Sequence, residues 1–329
     1  MLNPEITFLR VEELKGARQF LSHYEFNDYR NYPLFTKTML DDYLFTQVSD
    51  LLLKDKHSYI AVAKNKKKIV GLVSLVKLPW ETRYFGFKMA EIRHLIANGS
   101  YDEKIRINDA LLWFISQICK KEKVMHLSCK VDAEDFSGIH CLERTGFRLM
   151  GSAVTYVFEK GRIPKFKERC TVRMFKKKDM KAAINLLKTT AIKGRFQIDP
   201  YIPKQKANEF YVEWIRNCSR RLWADEVLVA ERGKEIVGFL AYQLNKELEK
   251  ATGIRCFRAN FAVVSPRGVG SFIALLKVAT VRGRDVLRAD LAEFETQVYN
   301  YSIIRVFQRL KIGIGRCRYS FHKCFGKGR

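Results

Sequence analysis

Residues Ser265–Ser271 form a glycine-containing segment, Ser-Pro-Arg-Gly-Val-Gly-Ser, between a predicted strand and a predicted helix. Its glycines allow the backbone to bend so that successive N–H groups point to one side. A helix that begins near Ser271 adds N–H groups without intrahelical partners and the positive end of its dipole. This segment could bind a pyrophosphate, with Arg267 adding a charge-assisted hydrogen bond. Its spacing differs from the P-loop pattern GxxxxGK[ST], so the segment alone also fits an ordinary glycine-rich turn.

The second half of the chain contains the strands and helices that would hold this segment. Runs of β-branched and aromatic residues predict strands over 171–175, 227–230, 236–244, 256–264, 286–291 and 318–322. Apolar residues at helical spacing predict helices over 180–189, 205–217, 271–282 and 302–310. The segment therefore connects a strand that ends at Val264 to a helix that begins at Ser271.

The first half repeats this order of elements. Strands are predicted over 59–63, 69–77, 125–130 and 156–158, and helices over 102–121 and 137–144. We predict an α/β fold with two domains related as a degenerate tandem repeat, each a mixed, mostly antiparallel sheet flanked by helices. The predicted domains are 1–160 and 165–329, because residues 160–178 hold nine basic residues and one acid, with Gly161 and Pro164.

Composition limits the class of protein. A chain of 329 residues is long enough for two domains at about 150 residues each. The sequence is 47% hydrophobic, which excludes a mainly disordered chain. Lys and Arg number 60 against 35 Asp and Glu, a formal net charge of +25, which favours an anionic substrate or partner.

The sequence also carries expectations about compartment and metal. No apolar run approaches the roughly 20 residues that a membrane-spanning helix needs, and Met1–Glu5 does not resemble the start of a secretory signal. The eight cysteines include no CxxC pair. We therefore expect a cytoplasmic protein with reduced, mostly buried thiols and no metal site.

The segment from Arg267 to Phe272 resembles the Q/R-x-x-G-x-G/A pyrophosphate loop of the GNAT superfamily of acetyl-CoA-dependent N-acetyltransferases. Arg267 and Gly270 match this motif, whereas Phe272 stands where the family usually has Gly or Ala. The phenyl ring would either crowd the loop or point into the core. The resemblance implies acetyl-CoA as co-substrate, bound by Arg267, Gly268, Val269, Gly270, Ser271 and Phe272.

Two further stretches resemble one branch of that superfamily, the dTDP-fucosamine (dTDP-4-amino-4,6-dideoxygalactose) N-acetyltransferases. Residues 78–86 are similar to its W-[DE]-x-x-F-F-G segment, and residues 195–217 to its RF…Y…FY…W…N stretch. The resemblance implies acetylation of a nucleotide-linked amino sugar for cell-envelope polysaccharide. It assigns the acceptor site to Trp80, Phe85, Arg195, Tyr211 and Trp214. Core packing is the alternative role for each of these aromatic rings.

The resemblance also implies catalytic roles. Backbone atoms near Val263 and Val264 would polarise the thioester carbonyl, and Asn300 would contact the pantetheine arm. The tyrosine that protonates the leaving thiolate in the family corresponds to Phe307, which has no proton to give. The catalytic acid is therefore unassigned, with Tyr299 and Tyr301 as candidates.

Residues 97–101 of the first half lack the RxxGxG pattern, so we expect this half not to bind coenzyme A. Two alternative functions remain open: an aminoacyl-tRNA-dependent aminoacyl-transferase and a non-catalytic acyl-CoA-binding protein. We expect only weak, non-specific binding of nucleic acid. Residues 301–329 contain no acid, which leaves peripheral contact with an anionic membrane open, and a homodimer is also open.

Overall fold

The computed structural model describes residues 4–159, 170–190, 192 and 194–326. The chain separates into two compact units: unit 1 comprises Met1–Ala153 with Arg316–Arg329, and unit 2 comprises Val154–Gly315. The division differs from the predicted one because the C-terminal segment belongs to unit 1. Of the predicted basic linker, residues 160–169 lie outside the described residues.

Unit 1 contains a mixed sheet with the strand order β1-β2-β3-β4-β5-β12. Neighbouring strands are antiparallel except β4 and β5, which are parallel. The strands are β1 (Glu5–Phe8), β2 (Ser58–Asn65), β3 (Lys68–Lys77), β4 (Met89–Ala97), β5 (His126–Asp132) and β12 (Gly313–Cys324, in unit 1 from Arg316).

Helices cover both faces of this sheet. They are α1 (Leu14–Leu21), α2 (Lys37–Lys54), α3 (Pro79–Phe85), α4 (Tyr101–Glu122) and α5 (Phe136–Arg144). Alternate residues of β2 and β3 enter two separate cores. Ala61 and Val73 pack in the core that contains α4, whereas Val62 and Leu72 pack in the core that contains α1 and α2. This alternation is the consequence of successive strand side chains pointing to opposite faces.

Unit 2 contains a sheet with the strand order β6-β11-β10-β9-β8-β7. The β7–β8, β8–β9 and β9–β10 pairs are antiparallel, and β10 and β11 are parallel. The strands are β6 (Arg148–Glu159, in unit 2 from Val154), β7 (Thr171–Met174), β8 (Glu226–Arg232), β9 (Glu235–Leu244), β10 (Cys256–Val264) and β11 (Leu291–Gln297).

The helices of unit 2 are α6 (Met180–Thr189), α7 (Arg195–Ile198), α8 (Lys204–Ser219), α9 (Lys246–Thr252), α10 (Ser271–Asp285) and α11 (Tyr301–Arg309). One core joins α6 and α8 to inward residues of β8, β9 and β10. Helix α10 buries Leu275, Leu276 and Ala279 completely. Within the described residues of both units, no helix is long and apolar enough to cross a membrane.

The predicted α/β fold of two repeated domains is confirmed, but the predicted strand over 286–291 is wrong. Helix α10 continues to Asp285, and the N–H groups of Val286 and Leu287 both donate to the Arg282 carbonyl. The strand begins only at Leu291, which is aligned with Cys256 of β10. Pairing with another strand sets this start, and local residue preferences do not contain that information.

One strand of each unit comes from the other half of the chain. Strand β12 follows α11 in sequence but pairs with β5 in unit 1, over Arg318–Cys324. Strand β6 follows α5 in sequence, yet its residues from Val154 lie beside β11 in unit 2. A cut at residue 160 therefore removes β12 from unit 1 and β6 from unit 2.

We expect a fragment of residues 1–160 to lose cooperative unfolding, because it lacks β12 and its buried Phe321. Loss of a core Phe alone costs about 3–5 kcal/mol, against about 5–15 kcal/mol for the stability of a whole domain. Circular dichroism during heating measures the transition. A synthetic peptide of residues 313–326 should restore it, and a scrambled peptide should not; a cooperative transition without any peptide would contradict the prediction.

Candidate functional site

The parallel pairing of β10 with β11 stops halfway along both strands. It runs from Cys256–Leu291 to Ala259–Phe294, four residue pairs, whereas β10 continues alongside β9 as far as Val264. The register with β9 shifts between Ala259 and Phe261, so Asn260 is an extra backbone residue at this point. A bulge of this kind bends the strand. Beyond Ala259, β10 and β11 thus separate and leave a gap in the sheet.

The backbone of Val264 faces this gap. The N–H of Ser265 donates to the Val237 carbonyl on β9, at 2.9 Å. Because N–H groups of successive strand residues point to opposite edges, the N–H of Val264 and of Ala262 point away from β9. Of the two valines that the sequence assigned to the carbonyl site, Val264 therefore presents its backbone to the gap, and Val263 faces β9.

The segment after β10 leads directly into the N-terminus of α10. Residues Pro266–Gly268 form one 3₁₀ turn, and the Ser271 hydroxyl donates to the Gly268 carbonyl at 2.7 Å. Gly270 is the N-cap residue and has φ +91°, which favours glycine. Gly268 has no room for a side chain, because a Cβ there would lie 2.7 Å from the Val237 carbonyl oxygen.

The first turn of α10 has no side-chain cap and no acidic residue. Its N–H groups and the positive end of the helix dipole are consequently available to an anion. Arg267 adds a cation, with a side chain that is 82% exposed and 3.8 Å from the Glu235 carboxylate. An exposed ion pair of this length is weak, so Arg267 can turn to an incoming phosphate. Val269, also in this segment, is 68% exposed.

Arg232, at the end of β8, binds the backbone of the same segment. Its guanidinium donates to the carbonyl oxygens of Arg267, at 2.6 Å, and Val269, at 3.1 Å. These contacts fix two carbonyl groups of the loop on one side. The sequence does not predict this role, since Arg232 and Arg267 are 35 positions apart.

Phe272 points into the core, which answers the question left open by the sequence. It is 7% exposed, and its ring lies 5.8 Å from that of Phe307. Phe307 has no exposed surface and stacks on Tyr156 with ring centroids 4.2 Å apart. Phe158 and Phe294 also lie within 6.0 Å of the Phe307 ring. The residue at the family's tyrosine position is thus the centre of an aromatic cluster.

The residues around the start of α11 differ in exposure. Asn300 is its N-cap residue and donates from Nδ2 to the Thr296 hydroxyl at 3.0 Å. Tyr301 is 67% exposed. Tyr299 is half-buried, and burial raises the pKa of its hydroxyl. The two candidate acids therefore occupy different environments on either side of Asn300.

Tyr211 lies against the part of β10 that has separated from β11. Its ring stacks on Phe261 with centroids 5.0 Å apart and an interplanar angle of 13°. Burial raises the pKa of the Tyr211 hydroxyl to about 12, while Arg195 lowers it and Tyr299 raises it. Arg195 and Tyr299 are therefore within electrostatic range of this hydroxyl, which stays protonated at neutral pH and can donate a hydrogen bond.

Trp214 has a role in packing. Its indole lies 5.6 Å from Phe210, 5.6 Å from Trp223 and 5.7 Å from Phe261, measured between ring centroids. It also belongs to the partly buried residues that line the α6–α8 core. Trp214 thus supports the position of Phe261 beside the gap.

A buried ion pair lies just before the gap. Arg258 of β10 donates from Nε to a carboxylate oxygen of Glu293 of β11 at 2.7 Å, and Glu293 is 3% exposed. These residues are aligned in the last part of the parallel pairing. Glu295 is exposed. Both glutamates lie after the end of the predicted strand 286–291, whereas the structure places them within β11.

Unit 1 has the same gap but a different helix start. Its parallel pairing of β4 with β5 also covers four residue pairs, from Met89–His126 to Ile92–Cys129. Helix α4, however, begins with a capping box: the Ser100 hydroxyl accepts from the Glu103 N–H, and the Glu103 carboxylate accepts from the Ser100 N–H at 2.8 Å. Asp102 adds another acid to this turn. These carboxylates occupy the helix start and would repel an anion that approached it.

The aromatic residues expected at the acceptor site in unit 1 lie on α3. Trp80 is half-buried and stacks on Tyr84 with centroids 5.4 Å apart and an interplanar angle of 8°. Phe85 is 2% exposed and contacts Tyr84 edge to face. Trp80 therefore retains surface for a ligand, and Phe85 belongs to the core.

The two units together define a fold class. Each has the strand order, the split parallel pair and the helix after that pair that the GNAT resemblance implies, so the chain has a tandem GNAT fold. A tandem GNAT protein from the clavulanic acid biosynthesis pathway aligns over 99% of this chain and 100% of its own, with 13% identity and a TM-score of 0.57.

Further comparisons agree with this fold. A GCN5-related N-acetyltransferase from Sphaerobacter thermophilus aligns over 99% of this chain and 96% of its own, with 13% identity and a TM-score of 0.60.

No family model matches the sequence. The spore coat polysaccharide biosynthesis protein SpsD of Bacillus subtilis (strain 168) is 21% identical over 285 residues, which covers 86% of this chain and 94% of SpsD.

The buried cluster around Phe307 leads to a stability prediction. Phe307→Tyr places a hydroxyl among aromatic rings, and an unpaired buried hydroxyl costs about 1–3 kcal/mol. We therefore expect Phe307→Tyr to lower the free energy of unfolding by this amount in denaturant titrations.

Phe307→Leu is the matched control, because it removes the ring without adding a polar group. We expect it to destabilise the protein through lost packing. If Phe307→Tyr is as stable as the parent, its hydroxyl reaches a polar partner, and the position is open to the active site after all.

Proposed function

We propose that the protein is an acetyl-CoA-dependent N-acetyltransferase that acts on a nucleotide-linked amino sugar. The observation that carries the proposal is the gap between β10 and β11 directly before the uncapped N-terminus of α10. A split pair of strands exposes backbone donors to a thioester, and the helix start binds the pyrophosphate of the same molecule. Both the separated strands and the helix start act through backbone N–H groups, so neither contribution depends on the type of side chain.

In this proposal, three parts of the coenzyme are assigned to groups of the chain. The N–H groups of Val269 to Phe272, with Arg267, bind the pyrophosphate, and Arg232 keeps the loop carbonyls turned away from it. Asn300 at the start of α11 contacts the pantetheine arm. The N–H of Val264 donates to the thioester carbonyl and stabilises the negative charge that develops on this oxygen during attack.

The transfer forms a C–N bond to the acceptor amine and breaks the C–S bond of the thioester. The amine attacks as the free base, and its nitrogen then loses one proton to water. The departing thiolate takes one proton from an acid of the chain or from water, so that the products are the amide and the free thiol. A thiol pKa of about 8.5 makes the thiolate a tolerable leaving group. Tyr299 and Tyr301 are the candidate acids. The proposed reaction uses no metal ion.

Three features support an amino-sugar nucleotide as acceptor. Residues 78–86 and 195–217 resemble the dTDP-fucosamine N-acetyltransferases, and SpsD is by its name a polysaccharide biosynthesis protein. Arg195 near the Tyr211 hydroxyl offers a cation and a hydrogen-bond donor to a sugar nucleotide. We place the product in cell-envelope polysaccharide synthesis. Within unit 2 we assign acceptor contacts to Arg195 and Tyr211 ahead of Trp214; within unit 1, Trp80 retains surface for a ligand and Phe85 does not.

The direct test is release of coenzyme A thiol from acetyl-CoA with a panel of amino-sugar nucleotides that includes dTDP-4-amino-4,6-dideoxygalactose. Mass spectrometry should find one acetyl group added to the sugar amine. Acetyl-CoA binding without turnover on the panel would favour the acyl-CoA-binding alternative. Tight tRNA-selective binding at physiological salt would favour the aminoacyl-transferase alternative, which the charge of +25 keeps open.

Gly270→Val should abolish acetyl-CoA binding, because a β-branched side chain cannot adopt φ +91° without moving the loop. The matched control is Gly253→Val, since Gly253 has φ +74°, caps α9 and has open space around it. Both variants carry similar backbone strain. Calorimetry should show binding lost only in Gly270→Val, and equal losses would point to general destabilisation.

We also expect one acetyl-CoA per chain, since the capping box of Ser100 and Glu103 occupies the start of α4 in unit 1. The titration that measures affinity also gives this stoichiometry. Two equivalent molecules per chain would contradict the assignment of the coenzyme to unit 2 alone.

A further inference from the structure

Unit 1 contains a cavity of about 710 Å³ that the proposed acetyl transfer does not use. It lies between α1, the β2–β3 hairpin and the loop from β4 to α4, and all of its lining residues belong to unit 1. Phe20, Ile69 and Val70 give it an apolar wall. Cavities that bind small molecules usually measure about 300–1,000 Å³ and combine such a wall with a few polar groups.

The polar side of the cavity is basic. Lys67, Lys68 and Lys104 line it. Lys67 and Lys68 are exposed, and within the described part of the chain neither forms an ion pair. Their neighbour Lys64, in contrast, is bound to the Glu13 carboxylate at 2.5 Å. The hairpin thus directs two uncompensated ammonium groups at the mouth of the cavity.

The acids that line the cavity are already engaged. Hydrogen bonding to Lys64 is the main reason why the pKa of Glu13 is lowered. Glu25 pairs with Lys104 at 3.1 Å, but its side chain is 68% exposed. The Lys104 side chain is 18% exposed, so the pair is open to solvent only on the Glu25 side, where a more highly charged anion can replace the Glu25 carboxylate.

The turn residues of the hairpin point to the same role. Lys66 and Lys67 have φ +46° and +69°, the conformation that hairpin turns usually give to Asn or Gly. Lysine is an unfavourable choice for this backbone, and the C-terminal turn of α1, which lines the same cavity through Gln19 and Phe20, is one group that attracts its charge. Its presence at both turn positions favours a role for the charge itself.

We propose that this cavity is a binding site for a diphosphate-bearing small molecule, separate from the coenzyme site of unit 2. The phosphates bind Lys67, Lys68 and Lys104, and the apolar wall of Phe20 and Ile69 receives the organic part, such as a nucleoside. The start of α4 takes no part, because the Glu103 carboxylate already accepts from Ser100. Recognition therefore rests on side-chain cations instead of a glycine-rich loop.

The test is calorimetric titration of the full chain with inorganic pyrophosphate and with UDP, each in the presence of saturating coenzyme A. Coenzyme A blocks the loop of unit 2, and the lysine variants distinguish this cavity from the proposed acceptor site, which also takes a nucleoside diphosphate. At the cavity we expect UDP to bind more tightly than pyrophosphate because of its nucleoside. The double variant Lys67→Glu/Lys68→Glu should weaken both at least about tenfold.

The matched control is Lys120→Glu/Lys121→Glu, which reverses the same number of exposed charges in the last turn of α4. It should change affinity less than about twofold, and circular dichroism checks that both variants are folded. Three results would each overturn the proposal: no binding to the parent protein, equal loss in both variants, or unchanged binding in Lys67→Glu/Lys68→Glu. If UDP binds no more tightly than pyrophosphate, the apolar wall does not bind the nucleoside, and that part of the proposal is wrong.

Discussion

The separation of β10 from β11 after Ala259 and Phe294 is the constraint on which the candidate site depends. A parallel pair that continued would use the backbone groups of Ala262 and Val264 for the sheet and leave none for a substrate. The bulge at Asn260 bends β10. Just before the bulge, Arg258 of β10 binds Glu293 of β11, and just after it Phe261 stacks on Tyr211 of α8. Side-chain contacts thus compensate for the missing strand hydrogen bonds.

In unit 1 the separated strands are not followed by a helix start that is open to an anion. Its β4 and β5 part after the same number of residue pairs as β10 and β11. The difference lies in the next few residues: Ser100 and Glu103 satisfy the start of α4 internally, whereas α10 starts after Gly270 with no side-chain cap. The two helix starts therefore differ in the source of the anion: the start of α4 binds a carboxylate of the chain itself, whereas the start of α10 is open to an external anion.

Local patterns in the sequence predicted most of this fold, because apolar spacing reports directly on strands and helices. The strand Cys256–Val264 and the loop at Arg267–Gly270 were predicted at their observed places. Features set by distant residues were not accessible. The start of β11 depends on its register with β10, and the bracing of the loop by Arg232 joins residues 35 positions apart. The exchange of β6 and β12 likewise follows from pairing, which leaves no local pattern.

The large positive charge has several separate structural uses. Every non-glycine residue with positive φ in the described part of the chain is Lys or Arg. Lys123, Arg221, Arg288 and Lys311 follow the C-terminal ends of α4, α8, α10 and α11, where a cation complements the helix dipole and offsets the strained backbone. Lys66 and Lys67 differ because they follow a strand in the sequence and not a helix. Lys67 lines the same cavity as the C-terminal turn of α1, so the basic hairpin can interact both with this helix end and with the proposed diphosphate.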